Sequence, residues 1–299
     1  MKLLFVVNPV SGGVNKEPFL KDAKALCDKY GIEYYIFKTT GRNDEQELKK
    51  ALPEFRPDKV VSVGGDGTTL FTSLALLGSG YPMGIIPLGS ANGMATELNV
   101  NSKPVEALKD IIMSERIEGL DMLKVNEKYY SIHIGDVGLN ARIVEAYDKD
   151  PNRGMLTYAK YFIDELTRLK PFPAKVRANG LEYFDKVFMV GICNARKFGT
   201  GVPLNVVGNP MDGQFEIVMI NRIDGPSLIR AGLASLDESF LDNQSGKVIS
   251  TEKAEIVFEE PRLLQLDGEV IGKFQEITVE IIKGAVRFIT HGENPYLKK

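Results

Sequence analysis

Apolar residues follow two rhythms along this chain, and the change from one to the other falls near residue 120. In the first part, short unbroken apolar runs alternate with stretches of helical spacing. Residues 3–7 (Leu-Leu-Phe-Val-Val) form such a run, as expected of a strand buried on both faces. Phe19, Ala23, Leu26, Cys27 and Tyr30 then recur at helical spacing, and Gly31 supplies a stop. Residues 32–37 read as a second strand. Residues 44–55 read as a helix, with Asp44 as the candidate N-cap. A third strand (60–63) leads into a helix ending near residue 77, and a fourth (84–87) into another helix start. This βαβαβαβ order predicts a doubly wound parallel sheet.

Beyond residue 121 strand-like segments follow one another: 122–125, 129–134, 174–178, 187–193, 215–220, 254–258, 263–266, 277–282 and 286–289. Helical spacing interrupts them over 155–169 and over 227–240, the second after Pro226. Consecutive strands with turn signals predict an antiparallel sandwich or barrel. The expected architecture is a doubly wound α/β domain over 1–121, then an antiparallel β-sandwich with inserted helices over 122–299. Whether the last residues return to the first domain stays open. Two domains meeting edge to edge would leave a cleft, a usual place for a small-molecule site.

Composition narrows the chemistry. The 299 residues are 43% apolar and 26% charged, with a net charge of −3, so no global cationic field exists to hold nucleic acid. Cys27 and Cys193 stand far apart, which removes CxxC redox and zinc motifs and leaves two buried thiols as the expectation. With only His133 and His291, a histidine triad or multi-histidine metal site is almost excluded. Carboxylates, hydroxyls and backbone amides must carry any catalysis. The N-terminus is too short for a signal h-region, and no run approaches the ~18 apolar residues of a membrane span. The expectation is a cytoplasmic protein that touches a membrane only from outside, peripherally at its inner surface.

Three glycine-containing loops stand at β–α junctions: Asn8-Pro9-Val10-Ser11-Gly12-Gly13, Gly64-Gly65-Asp66-Gly67-Thr68, and Pro87-Leu88-Gly89-Ser90-Ala91-Asn92-Gly93. Parallel sheets bind ligands beyond the carboxyl ends of their strands, so these loops could offer converging N–H groups and hydroxyls to a polyphosphate. None is a GxxxxGK[ST] loop or a GxGxxG fingerprint with its acid about twenty positions on. Asp66 among glycines would repel phosphate unless a cation such as Mg²⁺ sits between them. It could also cap the following helix, and the two roles can coexist. Gln265-Leu266-Asp267-Gly268-Glu269 reads as a hairpin turn. If its tip faces the loops, Asp267 or Glu269 could take a proton from an attacking hydroxyl.

In their order and spacing, the Asn8–Gly12 opening, GGDGT at 64–68, Ile85-Ile86-Pro87-Leu88-Gly89-Ser90 with Asn92, Met211-Asp212-Gly213, and Leu266-Asp267-Gly268-Glu269 resemble the diacylglycerol kinase-like lipid kinase family, which includes sphingosine kinases and bacterial lipid kinases. The likeness spans nearly the whole chain, and GGDGT is shared with the more distant NAD kinases. It implies ATP bound between the domains, near Asn8, Ser11, Gly12 and Thr39. Gly64, Gly65, Asp66, Gly67 and Thr68 would hold phosphate and Mg²⁺, and Gly89, Ser90 and Asn92 would line the same pocket. Asp267 would be the candidate base, with Glu269 beside it, although the family leaves open whether Asp66 takes that role. Asp212 would be a further metal position. Leu70 and Phe71 replace the family's usual Asn-Glu pair, and Gly93 and Met211 stand where acids are common.

The implied reaction is transfer of the γ-phosphoryl group of ATP to a hydroxyl of an amphipathic, diacylglycerol- or sphingoid-like lipid. A soluble NAD kinase-like enzyme and a nucleotide- or lipid-binding protein without turnover are the alternatives. A lipid acceptor requires transient contact with a membrane surface. Pro171-Phe172-Pro173, flanked by Arg168, Lys170 and Lys175, is the candidate segment. The oligomeric state is not legible in the sequence.

Overall fold

The computed structural model describes residues 1–138, 170–198, 204–205, 207–222 and 246–297. The chain divides into two compact units, residues 1–121 with 283–299 and residues 122–282. The helices expected over 155–169 and 227–240, and Arg168, lie outside the described residues.

The α/β unit alternates β1 (Lys2–Val7), α1 (Glu17–Tyr30), β2 (Glu33–Lys38), α2 (Asp44–Phe55), β3 (Lys59–Gly64), α3 (Asp66–Leu76) and β4 (Pro82–Pro87). A one-turn α4 (Gly93–Glu97) and α5 (Pro104–Met113) follow. The strands pair in parallel in the order β2-β1-β3-β4. Near the chain's end, Arg287 and Phe288 pair with Pro82 and Met83, also in parallel. Every residue from Leu3 to Val7 is buried, because helices cover both faces. Leu3, Phe5 and Val7 meet Phe19, Ala23 and Cys27 of α1 and Leu108 and Ile111 of α5. On the opposite face Thr72 of α3 bonds Ser62 of β3. Each large apolar side chain so buried contributes about 1.5–3 kcal/mol.

Gly31 ends α1 in the left-handed conformation, its N–H on the carbonyls of Cys27 and Asp28. Asp44 is not the N-cap of α2. Asn43 holds that position without a side-chain bond, and Asp44 turns back to accept from the N–H groups of Thr40 and Gly41 and from the Thr40 hydroxyl. It closes the preceding loop instead.

The β unit is built from the end of β5 (Ile117–Val125), β6 (Tyr129–Ser131), β7 (Ile134–Gly138), β8 (Phe172–Ala178), β9 (Leu181–Val187), β10 (Met189–Cys193), β11 (Phe215–Ile220), β12 (Gly246–Thr251), β13 (Lys253–Leu266) and most of β14 (Glu269–Ile289). Its antiparallel order is β12-β11-β10-β7-β13-β14, with the β8–β9 hairpin on the first half of β13. β13 changes neighbours along its length. Ala254–Phe258 pair with β8, Leu264–Leu266 pair with β7, and the register shifts between Val257 and Arg262. That irregularity lets one strand serve both layers of the sandwich. Alternate residues of β8, β11, β13 and β14, among them Val176, Phe215, Ile256 and Val279, fill its core.

Several strand boundaries differ from the sequence reading. The run 129–134 breaks at Ile132-His133, whose N–H groups turn to a carboxylate instead of a strand. The runs 254–258 and 263–266 are one strand, as are 277–282 and 286–289. β12 carries too few apolar residues to be read from periodicity. Phe172 is a correction of another kind. It is not exposed: it begins β8, is buried edge-on against Phe258, and lies beneath the Arg262 guanidinium. The aromatic ring that does face outward is Phe184 on β9, 65% exposed and paired across the hairpin with Lys175.

Candidate active site

The strand order 2-1-3-4 reverses direction between β1 and β3, and ligands of open α/β sheets bind outside the carboxyl ends at such a reversal. The three glycine loops converge there. Asn8 N–H donates to the Val63 carbonyl at 3.3 Å, and Leu88 N–H donates to the Gly64 carbonyl at 2.9 Å. Gly12, at φ 62°, lies so close to the third loop that a Cβ would fall 2.8 Å from Gly89 C and Ser90 N. A Cβ on Gly89 would fall 2.2 Å from Gly65 Cα. These glycines are required because backbone touches backbone. Asn92, itself left-handed at φ 54°, clamps Gly89 by accepting from its N–H at 2.7 Å and donating to its carbonyl at 3.0 Å.

Polar side chains line the junction. Ser11 Oγ donates to the Asn8 carbonyl, and Thr39 at the end of β2 donates its N–H to Val7 O at 2.9 Å. Thr68 Oγ1 is buried and has no hydrogen-bond partner among the described residues. It lies 2.3 Å from where a Gly64 Cβ would stand, with Ser11 Oγ 3.0 Å from the same point. Gly64 is needed there because the Thr68 side chain packs where a Cβ would stand, and a buried hydroxyl with no described partner suits an acceptor such as a phosphoryl oxygen. Lys16, which sequence reasoning missed, is buried and donates to the carbonyls of Ser11 and Val14, the latter at 2.8 Å. Burial holds its pKa below the usual lysine value. Its signal was its place in the chain, a lone cation closely following a candidate phosphate loop.

Asp66 is the first residue of α3 yet caps a different helix. Its oxygens accept from Gly93 N–H at 2.9 Å and Met94 N–H at 3.0 Å, at the start of α4. Gly93, where the family resemblance implied an acid, presents its N–H to Asp66. The far end of α4 is also held, because Tyr296 donates to the buried Glu97 carboxylate. Among the described residues no three acids, histidines or cysteines gather as a metal cage. Mg²⁺ does not require one, since one carboxylate plus nucleotide phosphates and water commonly hold it. Gly67 is exposed in the first turn of α3.

In the β unit, Asp267 (φ 50°) and Gly268 (φ 86°) form a two-residue turn with both residues left-handed, and Leu266 pairs with Glu269 across it. The Asp267 carboxylate does not point away into solvent. It accepts from Ser131 Oγ at 2.5 Å, His133 N at 3.1 Å and Ile132 N at 3.0 Å. Gln265 braces the turn from below, accepting from Gly268 N–H at 2.8 Å and donating to buried Asp136. Ser131 and Asp136 stand in no sequence motif, and Gln265 stood only as the first residue of the hairpin reading. Glu269 is exposed, and no described residue hydrogen-bonds its carboxylate.

Asp212 lies in a separate turn, exposed, its Oδ1 accepting from Gln214 N–H at 2.9 Å. Burial pushes the nearby Glu216 carboxyl up to about 7, with the Asp212 charge adding to the effect and the Ser250 hydroxyl opposing it. Both cysteines are buried free thiols. Desolvation pushes Cys27 up to about 11 and raises Cys193 well above the ordinary thiol value, so neither is a poised nucleophile.

Known proteins resemble the chain along nearly its whole length. The diacylglycerol kinase catalytic domain family matches residues 2–125, and the YegS C-terminal NAD kinase beta sandwich-like domain family matches residues 134–290. The chain is 28% identical over 287 residues to "Probable lipid kinase YegS" of Salmonella arizonae, covering 93% of each. It is 28% identical over 298 residues to "Probable lipid kinase YegS-like" of Citrobacter koseri, covering 96% of this chain and 95% of that one. Among solved structures, a diacylglycerol kinase from Bacillus anthracis superimposes with a TM-score of 0.71 at 19% identity, over 98% of both chains. Another chain from that organism reaches 0.77 at 20% identity, over 98% of this chain and 97% of that one, and both show the shared fold.

Proposed function

The chain belongs to the diacylglycerol kinase-like lipid kinase family with a YegS-type C-terminal domain, and from that premise we propose that it transfers the γ-phosphoryl group of ATP to a hydroxyl of an amphipathic lipid. The observation that carries this reading is the convergence of three glycine loops, backbone against backbone, around the buried hydroxyl of Thr68, which has no described partner, at the reversal point of the sheet. Such a place binds phosphate through N–H and O–H groups and excludes bulk.

In this reading Asn8, Ser11, Gly12, Thr39, Gly65, Thr68, Gly89, Ser90 and Asn92 form the nucleotide half of the reaction. Asp66 would hold Mg²⁺ through the lone pairs that the α4 amides leave unused. When bound, that cation neutralises phosphate charge, and phosphoryl transfer is mostly positioning and charge neutralisation. The β unit supplies the acceptor half. Asp267, fixed by residues 131–133, orients the lipid hydroxyl and takes its proton, and Glu269 adds a second negative charge at the turn. Asp212, with only Oδ1 engaged among the described residues, is open to a separate cation.

No helix among the described residues is long and apolar enough to cross a membrane. We place the working site at the cytoplasmic face of a bilayer, touched transiently. With Phe172 in the core, that contact falls to Phe184, which shares the outer face of the β8–β9 hairpin with Lys175 and Lys186.

The test is incubation with labelled ATP and Mg²⁺ in mixed micelles of diacylglycerol, monoacylglycerol or sphingosine, with NAD as a parallel acceptor. Label in a lipid product supports the reading. Label in NAD alone, or ATP-dependent thermal stabilisation without transfer to any acceptor, overturns it.

A further inference from the structure

The cradle around Asp267 draws in one side chain that carries no motif. Three donors to the carboxylate come from residues 131–133, and the N–H groups of Ile132 and His133 belong to the backbone and would persist whatever side chains stood there. Ser131 Oγ is the side-chain donor of this segment, and its 2.5 Å contact with Oδ1 lies in the short range of a hydroxyl bonded to an anion. Ser131 is fully buried, and its main chain is fixed by pairing with Leu123 at the end of β6. Asp267 cannot readjust through its own backbone, because the left-handed turn holds it and its N–H is committed to the Ile134 carbonyl at 3.0 Å. Rotation of the carboxylate is restrained by one backbone N–H on each oxygen, and the Ser131 hydroxyl adds the short bond to Oδ1.

We propose that Ser131 is a positioning residue that fixes the Asp267 carboxylate in the orientation from which it meets the acceptor hydroxyl. The inference rests on the reading of Asp267 as the group that takes the acceptor proton. Its reach is specific: the acceptor half of the reaction depends on Ser131, and the nucleotide half does not.

The experiment compares Ser131→Ala, Ser131→Cys, Asp267→Asn and the Ser131→Ala/Asp267→Asn double variant in the lipid kinase assay. Cysteine keeps the approximate volume and replaces the hydroxyl by a weak donor. Both Ser131 variants should lose about 10–10²-fold in kcat, the scale of a misplaced catalytic group, with KM for ATP unchanged. The acid limb of their kcat–pH profiles should move to higher pH, because a donor that favours the carboxylate anion is gone. In the double variant the Ser131 substitution should add nothing to the loss from Asp267→Asn, since the two act as one unit. A folded Ser131→Cys enzyme with unchanged kcat and pH profile overturns the proposal. So does a fully additive double variant. An Asp267→Asn enzyme that turns over normally overturns the reading of Asp267 beneath it, a result distinguishable from a failure at Ser131 alone. If Ser131→Ala does not fold, the cysteine variant decides.

Discussion

The two acids proposed to serve the two halves of the reaction are both held by backbone N–H groups, yet the two regions are shaped differently. Around Asp66 the shape is made by main chain: glycines let three loops touch, and the carboxylate rests on the amides of Gly93 and Met94. Around Asp267 the shape depends on side chains: Ser131 fixes the carboxylate and Gln265 braces the turn. A site shaped by main chain fails when bulk is added. A site shaped by side chains fails when a donor is removed.

The sharpest way to break this comparison is to add one methyl group on each side. Gly89→Ala sets a Cβ 2.2 Å from Gly65 Cα, where no flexible side chain can yield, and should abolish both turnover and ATP-induced thermal stabilisation. Gly268→Ala meets nothing within 4 Å and pays only for a left-handed φ of 86°, about 1 kcal/mol, so it should keep ATP stabilisation. Thermal shift with and without ATP reads both. Equal loss in the two variants would remove the contrast.

Next in size is exchange of the acids themselves. Asp66→Asn leaves one acceptor oxygen for two N–H groups and should weaken ATP–Mg²⁺ binding as well as turnover. Asp267→Asn should lower kcat by ~10²-fold or more and leave ATP affinity in place, as measured by titration calorimetry. A smaller contrast separates the two aromatics. Phe172→Ala should cost about 3–5 kcal/mol in urea denaturation. Phe184→Ser should leave stability nearly unchanged and reduce co-sedimentation with vesicles.

The smallest effect belongs to Glu216. Its folded pKa is raised from 4.5 to about 7, so the folded state holds its proton more tightly than the unfolded chain does. Its contribution to stability is fully present below about pH 4.5 and is lost as pH rises to about 7. Glu216→Gln should flatten this slope and be the more stable form at pH 8, by up to about 3 kcal/mol. Chemical denaturation across pH 5–8 measures it, and parallel curves for the two proteins would exclude the effect.

Much of the α/β unit was legible because its strands are unbroken apolar runs and its helices carry a 3.6-residue period, signals fixed by local burial. Gly31 at the end of α1 shows this at a single residue. The β unit was read less evenly. Ile132-His133 looked like strand because both are compatible with it, and nothing nearby in sequence reveals that their amides serve Asp267, more than 130 positions away. Phe172 looked exposed because prolines and lysines surround it, while its real neighbours, Phe258 and Arg262, come from another strand.

By itself the sequence determined where strands, helices and glycine loops stand and which residue types could hold a phosphate, because those properties follow from periodicity and side-chain chemistry. Only the tertiary structure decided that Asp66 caps α4 rather than its own helix, that Gly12, Gly65 and Gly89 are required by contact between loops, and that Ser131 holds Asp267. Each of these depends on groups distant in sequence and adjacent in space, and hydrogen bonds and steric contacts act only over a few ångströms.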